Sequence, residues 1–395
     1  IPVREAAAFQ NRWEQVGVEG VSAVGSAESV QQLAQQLASE LPEPGVPPTV
    51  WTAFALRWGE LSRQLDSLDP SEYSITVESY DKLFASVDSR LRDWLFERYA
   101  ALANRAYVPT PTMVHQIPHL MAHRKSERDR VALVVVDGMS LAQWSTVRDA
   151  PGTGWRQGLR FEEHAVFAWI PTITSVSRQA IFAGQAPLFF ESTLLSTHAE
   201  ERHWKTFWEE KGRRRDTVGL VKQGHGEPEA ALIDRTRSAI EDHRVGALGV
   251  VVNSIDQLVH GVASRSVLRA SVERWGRDAH LAHLIQMLIG YGFDVHITSD
   301  HGNVSARGIG GLDVGSVPDE RGCRALLFPD ANTRDAAIRE APMAYAWPSI
   351  GLPDSTNIAL AAEHAAFVKK GSEIRSHGGA SIDELLVPYV RVTKT

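Results

Sequence analysis

The chain has 395 residues, 43% hydrophobic and 23% charged, with a formal net charge of −7; this is ordinary globular composition, and the acidic balance excludes a basic nucleic-acid binder as a whole while leaving room for a local footprint. Cys323 is the only cysteine, so an intramolecular disulfide is excluded, which fits a reducing compartment. No apolar run reaches the roughly 18–20 residues that span a bilayer and no secretory signal is visible, although the chain starts at Ile1 and reads as a fragment; the expectation is a cytoplasmic protein with no membrane partner.

From about residue 26 to 106 the apolar spacing is helical. Leu33 and Leu37 stand four apart, Trp51, Phe54, Trp58, Leu61, Leu65 and Leu68 follow at three and four, and Leu91, Trp94, Leu95 and Tyr99 repeat the pattern. Such stripes predict core between packed helices. Tyr107 to Pro118 carries three prolines and reads as a linker, so residues 1–118 are expected to form a helical N-terminal domain with its linker. His119–Arg130 holds four arginines and lysines, a solvated face by default.

After Arg130 short β-branched runs alternate with helical segments. Val131–Val136, Ala165–Ile170, Thr217–Val221, Leu248–Val252, Val295–Ile297 and Leu385–Val392 predict buried strands, and Leu268, Val272, Trp275, Ala279, Ala282 and Ile289 predict one long amphipathic helix. The fold class is therefore α/β: a mostly parallel sheet with helices on both faces, preceded by the helical domain. In such sheets ligands sit beyond the carboxyl ends of the strands.

Four motifs occupy those ends. Val134-Val135-Val136-Asp137-Gly138 puts a carboxylate directly after a strand, where it can ligate a cation or simply turn the chain. In Ile170-Pro171-Thr172-Ile173-Thr174-Ser175-Val176-Ser177-Arg178, hydroxyl residues precede a short helix closed by Gly184. One of Thr172, Thr174 and Ser175 either caps that helix or meets an anion at its positive end. In Asn253-Ser254-Ile255-Asp256-Gln257-Leu258-Val259-His260-Gly261, Asp256 and His260 share a helical face and can reach one metal. Thr298-Ser299-Asp300-His301-Gly302 sets two ligand types side by side before a glycine suited to a sharp turn, and Ser376-His377-Gly378-Gly379 adds a late histidine. Three carboxylates and three imidazoles suit two zinc or similar ions about 3.5–4 Å apart. His123, His164, His203 and His283 lack this setting and read as surface or packing residues.

The order of these motifs resembles the alkaline phosphatase superfamily. More closely, the run Pro171 to Arg178, together with Ser376-His377-Gly378-Gly379-Ala380-Ser381-Ile382-Asp383-Glu384-Leu385-Leu386-Val387-Pro388, is similar to PglZ-domain proteins of bacterial phage-exclusion (BREX) systems. The resemblance covers roughly Ala132 to Val392, and residues 119–395 would form the catalytic domain, with insertions at about 185–216 and 304–375. Val176 stands where the similar sulfatase box has proline, which disfavours a sulfatase.

The resemblance implies that Asp256, His260 and His377 hold a first metal, and that Asp137, Asp300, His301 and the Thr174 hydroxyl hold a second. The ions would be zinc, with manganese as the alternative. Thr174 would be the nucleophile of a phosphodiesterase, plausibly a DNA nuclease, acting through a phospho-threonine beside other phage-defence proteins. A phosphomonoesterase or phosphomutase with the same metal box, or a scaffold component of a defence complex, is the alternative. Arg178, Lys222 and His225 are candidate substrate contacts. Arg202, Lys205, Lys211 and Arg213 to Arg215, set among Trp204, Phe207 and Trp208, read either as a strand-tracking surface or as an amphipathic helix with a charged end.

Overall fold

The computed structural model describes residues 26–105, 110–124, 129–155, 157–242, 244–261, 265–311, 316 and 322–395. Three helices lead, α1 (Ala27–Ser39), α2 (Pro48–Ser67) and α3 (Pro70–Ala103). Proline at their first turns and Asp69, whose carboxylate accepts from the Ser71 and Glu72 amides, set the starts of α2 and α3. The expected stripe is core: Trp51, Phe54, Trp58, Leu61, Leu65, Leu91, Trp94, Leu95 and Tyr99 are all buried.

The stretch expected as a linker is packed where it is described, while residues 107–109 lie outside the described residues. Thr112 accepts from the Phe167 amide at 2.8 Å, and residues 112–118 are nearly all buried, leading through a 3₁₀ turn into α4 (Ile117–Arg124). Of the basic run that follows, Lys125 and Arg128 lie outside the described residues. Arg130 is no free surface cation, because it donates to the Ile240, Val245 and Tyr291 carbonyls.

The body is a six-stranded sheet in the order β2-β12-β5-β1-β4-β3. Its strands are β1 (Arg130–Val136), β2 (Leu159–Phe167), β3 (Val218–Lys222), β4 (Ala247–Val252), β5 (Phe293–Thr298) and β12 (Leu386–Lys394). Strands β5, β1, β4 and β3 run parallel, and β12 is antiparallel to both β2 and β5. Continuous apolar runs occur because both faces are covered; every residue of β4 and β5 is buried. The second strand begins six residues earlier than expected and ends at Phe167, since its outer half is amphipathic and pairs with β12 over Leu386↔Phe167 to Lys394↔Leu159.

Around the sheet lie α5 (Leu141–Arg148), α6 (Thr174–Ala183), α7 (Glu200–Glu210), α8 (Glu229–Glu241), α9 (Ser254–Gly261), α10 (Arg265–Arg277) and α11 (His280–Gly290). The single long helix expected over residues 268–289 is two, α10 and α11, broken at Ala279 with φ 58°. The apolar stripe continues in register across the break, so periodicity does not reveal it.

The segment expected as the later insertion folds as its own layer. Strands β7 (Ala325–Phe328), β8 (Ala344–Trp347) and β9 (Asn357–Ala361) form an antiparallel sheet against α12 (Ala331–Arg339). Beside it, β6 (Val304–Gly308), β10 (Ala365–Ala366) and β11 (Glu373–Ser376) make a second small sheet that leads to His377.

The helical lead shares one apolar core with the sheet body: Trp58, Phe84, Trp94 and Tyr99 belong to the same buried cluster as Phe167, Trp169, Trp347 and Leu386. Its polar contacts also reach inward. Trp58 Nε1 donates to Asp383 at 2.9 Å, and the Tyr99 hydroxyl accepts from the Ile170 amide at 3.0 Å. No described helix is long and apolar enough to cross a membrane.

Asp88, on α3, is 6% exposed and accepts one bond from the Glu363 amide. Burial pushes its carboxyl up to about 7, with Arg324 opposing and Glu384 reinforcing the shift. A folded-state value above the unfolded one means that the folded protein holds a proton the unfolded chain has lost, so stability falls as pH rises from about 4 to 7. Asp88→Asn should therefore match the unaltered metal-free protein in acid and exceed it at pH 8, by up to about 4 kcal/mol. Urea unfolding at both pH values measures this; identical pH slopes in the two proteins would refute it.

Candidate metal centre

All the motif exits gather at one edge of the sheet. Parallel register aligns Val136 with Val252 and Val135 with Thr298, so Asp137, the start of α9 and Asp300-His301 emerge together. Strand β12 starts at that edge and β2 ends there, which adds His377 and Thr174.

Two triads result. Asp256, His260 and His377 bring one ligand atom each within 4.8 Å of one another, and Asp137, Asp300 and His301 do the same. The triads touch through the His301 and His377 rings, stacked with centroids 3.9 Å apart at 17°. His123, His164, His203 and His283 belong to neither group.

Donor chemistry fits divalent cations. His301 Nδ1 lies 2.9 Å from the Gly302 carbonyl, and His377 Nδ1 lies 2.9 Å from the Thr172 carbonyl. A carbonyl only accepts, so each Nδ1 carries the proton and each Nε2 a lone pair facing the cluster. No described donor hydrogen-bonds Asp137 Oδ1 or Asp300 Oδ2, although both atoms are buried. Burial, and then the neighbouring Asp300 charge, hold the Asp137 carboxyl well above the usual range against Arg178. Burial likewise pushes Asp300 up to about 6, again opposed by Arg178. Asp256 goes the other way: burial opposes it, but His260 at 3.0 Å and His377 hold it well below the usual range. Buried carboxylates crowded beside one guanidinium are what a bound cation would relieve.

Thr174 is the first residue of α6, not its cap; Ile173 occupies the cap position without a side-chain bond. Thr174 Oγ1 lies 3.0 Å from His301 Nε2. Thr172 Oγ1 instead donates to the Gly379 carbonyl and accepts from the Gly378 amide, clamping the His377 loop. Ser177 Oγ accepts from the Trp169 amide. Of the three hydroxyls that spacing alone left open, Thr172 and Thr174 thus take distinct tasks, and Ser175 Oγ is buried with no hydrogen-bond partner among the described residues.

Two glycines are required by close approach. Gly138 has φ +70°, and a Cβ there would stand 3.3 Å from Asp256 Cβ. Gly302 was expected to permit a sharp turn; its φ is unexceptional, and the constraint is that a Cβ would fall 2.0 Å from the Asp383 carbonyl oxygen. That contact exists because the Gly302 amide donates to the Glu384 carbonyl at 2.9 Å. Glu384 is fully buried and accepts from the Gly379 and Ser381 amides and from Arg324 Nε.

Two of the three expected substrate contacts have carboxylate partners. Arg178 is 5% exposed; its Nη1 donates to Asp137 Oδ2 at 2.6 Å and its Nε to Glu200 at 2.8 Å. Lys222 Nζ lies 2.6 Å from Glu200 Oε2 and donates to the Thr197 carbonyl. His225 is exposed. Arg178 and Lys222 are therefore charge partners of buried carboxylates: Arg178 is itself buried, and half-buried Lys222 pairs with Glu200, which cannot be left unpaired at its depth.

The aromatic–basic segment resolves as helix and core. Trp204, Phe207 and Trp208 are buried, and Trp204 packs edge-on against Phe182. Lys205 pairs with Glu201, Arg214 with Asp216 and Arg215 with Glu209, while Arg213 lies over Trp208. These rings are not available to stack on bases. Glu200, which joins Arg178 to Lys222, was missed: an acidic residue opening a helix is commonplace, and nothing in its spacing marks it.

A family model described as the BREX system PglZ alkaline phosphatase-like domain matches residues 118–392. The chain belongs to the PglZ family. No curated protein matches the chain. Among solved structures, murine ectonucleotide pyrophosphatase/phosphodiesterase 5, an inactive threonine-to-alanine form in complex with AMP, superposes with TM-score 0.51 at 13% identity, covering 66% of this chain and 87% of that one. This likeness shows an alkaline-phosphatase-like fold. Phosphonoacetate hydrolase from Sinorhizobium meliloti with phosphonoformate gives TM-score 0.47 at 15% identity, covering 67% and 90%. A mutant of the alkaline phosphatase PafA gives 0.48 at 12%, covering 67% and 90%.

Gly302→Ala should destabilise this PglZ chain by about 1–3 kcal/mol, because the backbone facing it must move. Gly290→Ala, where a Cβ would meet nothing within 4 Å, serves as the neutral control. Urea midpoints of the metal-free proteins measure the difference; equal midpoints would remove the close-approach argument.

Proposed function

We propose that the chain is a two-metal phosphoric diester hydrolase acting through a phospho-threonine at Thr174. One observation carries the reading: the Thr174 hydroxyl lies 3.0 Å from His301 Nε2, in a triad whose histidine stacks directly on His377 of the second triad. Asp256, His260 and His377 would hold one divalent cation, and Asp137, Asp300, His301 and Thr174 the other. Zinc suits this mixed imidazole and carboxylate set, with manganese as the alternative. Bound there, such ions would supply positive charge near the phosphate and would lower the pKa of the hydroxyl.

The chain's own residues account for the rest. Thr174 sits at the positive end of α6, where an anion is favoured. With His301 Nε2 committed to a cation, Oγ1 would give up its proton to solvent; it attacks phosphorus, an O–P bond forms as the bond to the leaving alkoxide breaks, and that alkoxide takes a proton from water. Water then adds at phosphorus, and cleavage of the phospho-threonine bond restores the hydroxyl.

Arg178 and Lys222 bear on the choice of ester. Both cations are committed to Asp137 and Glu200, so neither is free to receive the additional negative charge of a phosphomonoester. A diester, carrying one charge less, fits better. A DNA backbone is such a diester and accords with cytoplasmic work beside other phage-defence proteins, the setting implied by a BREX-type domain.

Hydrolysis of bis-p-nitrophenyl phosphate, compared with p-nitrophenyl phosphate, tests the reading on metal-stripped protein and on protein resupplied with zinc or manganese. Diester cleavage should appear only with metal and vanish in Asp300→Ala. Thr174→Ala should lower it at least about a thousandfold while retaining bound metal. Full turnover by Thr174→Ala would remove the nucleophile assignment, and preference for the monoester would remove the diester assignment.

A further inference from the structure

We propose that Glu200 is a positioning residue that prevents Arg178 from closing over the Asp137 and Asp300 carboxylates, keeping that pair open to a divalent cation. The proposal rests on the two-metal reading and adds a residue lying outside both triads.

Geometry gives the reason. A guanidinium presents five donors in a rigid fork and prefers to grip a carboxylate with two of them. Here Arg178 contacts Asp137 with Nη1 alone, at Oδ2, and the same nitrogen stands 3.8 Å from Asp300 Oδ2. Asp137 Oδ1 and Asp300 Oδ2 accept no hydrogen bond from any described donor. The Nε edge of the fork is taken instead by Glu200 Oε1 at 2.8 Å. Glu200 thereby limits Arg178 to a single-point contact and leaves the two orphaned oxygens facing the cluster.

Glu200 is itself fixed. It is fully buried at the first position of α7, with its carboxylate at the positive helix end. Its second oxygen lies 2.6 Å from Lys222 Nζ, which is tethered to the Thr197 carbonyl at 3.0 Å. The chain Asp137–Arg178–Glu200–Lys222 thus runs from the triad to the end of β3, with the guanidinium held between two carboxylates. Removing the Glu200 charge while keeping its shape weakens the hold on Nε, because the amide oxygen that remains carries no charge. Arg178 can then swing into a two-point grip on the acidic pair and compete with a cation for the same oxygens.

Zinc titration of the metal-stripped 395-residue protein tests this, by calorimetry or by competition with a chromophoric chelator. The unaltered protein should take up two ions. Glu200→Gln should weaken one of them at least tenfold and leave the other unchanged, with Glu200→Asp intermediate. In an Arg178→Gln background, where no guanidinium competes, adding Glu200→Gln should change zinc affinity by less than threefold; a merely structural role would weaken binding equally in both backgrounds. Unchanged affinity in Glu200→Gln, equal weakening of both ions, or failure of both Glu200 variants to fold without metal overturns the proposal. An unaltered protein that binds no zinc overturns the two-metal reading itself, a result distinguishable because it appears before any variant is made.

Discussion

Asp137 and Asp300 are buried side by side, and the field between these two carboxylates constrains much of the molecule. Like charges at that depth cannot both remain ionised without compensation. Arg178 supplies part of it from α6, the same short helix that carries Thr174. The helix presenting the hydroxyl and the charge that stabilises the acidic pair are therefore one rigid element. Arg178 in turn pairs with Glu200, and Glu200 with Lys222, so a line of alternating charge extends from the sheet edge to the start of α7 and the end of β3.

A second set of contacts braces the opposite side. Glu384 gathers the Gly379 and Ser381 amides and the Arg324 guanidinium in a fully buried knot, and its carbonyl receives the Gly302 amide. His377 and His301 are thus held by one loop. Trp58 of the helical lead reaches the adjacent Asp383. The leading helices share the core of the body and touch the loop that fixes the imidazoles, so they contribute to the site's geometry as well as to burial.

Arg178 and Lys222 illustrate how a cationic side chain near a strand end takes carboxylate partners that linear order does not reveal. Linear order places them beside the nucleophile and after β3, where a phosphate contact is reasonable. In the fold the Arg178 guanidinium, 5% exposed, is paired with the carboxylates around it. The same logic removes Trp204, Phe207 and Trp208 from the candidate nucleic-acid surface, since hydrophobic burial against Phe182 outweighs exposure for base stacking.

The sequence by itself determined the strand-end positions of Asp137, Asp256, Asp300 and His301, because uninterrupted β-branched runs define buried parallel strands and the residue after each run must leave at the same edge. It also determined the helical core of Trp51, Trp58 and Trp94, through a periodicity that has one sensible buried face. Only tertiary structure decided which of Thr172, Thr174 and Ser175 faces the cluster, because all three fit a helix start and the partners of Thr172 and Thr174 lie far along the chain. The break at Ala279, the need for glycine at 302 and the presence of Glu200 were likewise invisible. Each depends on what another segment places within a few ångströms, and local spacing carries no record of that.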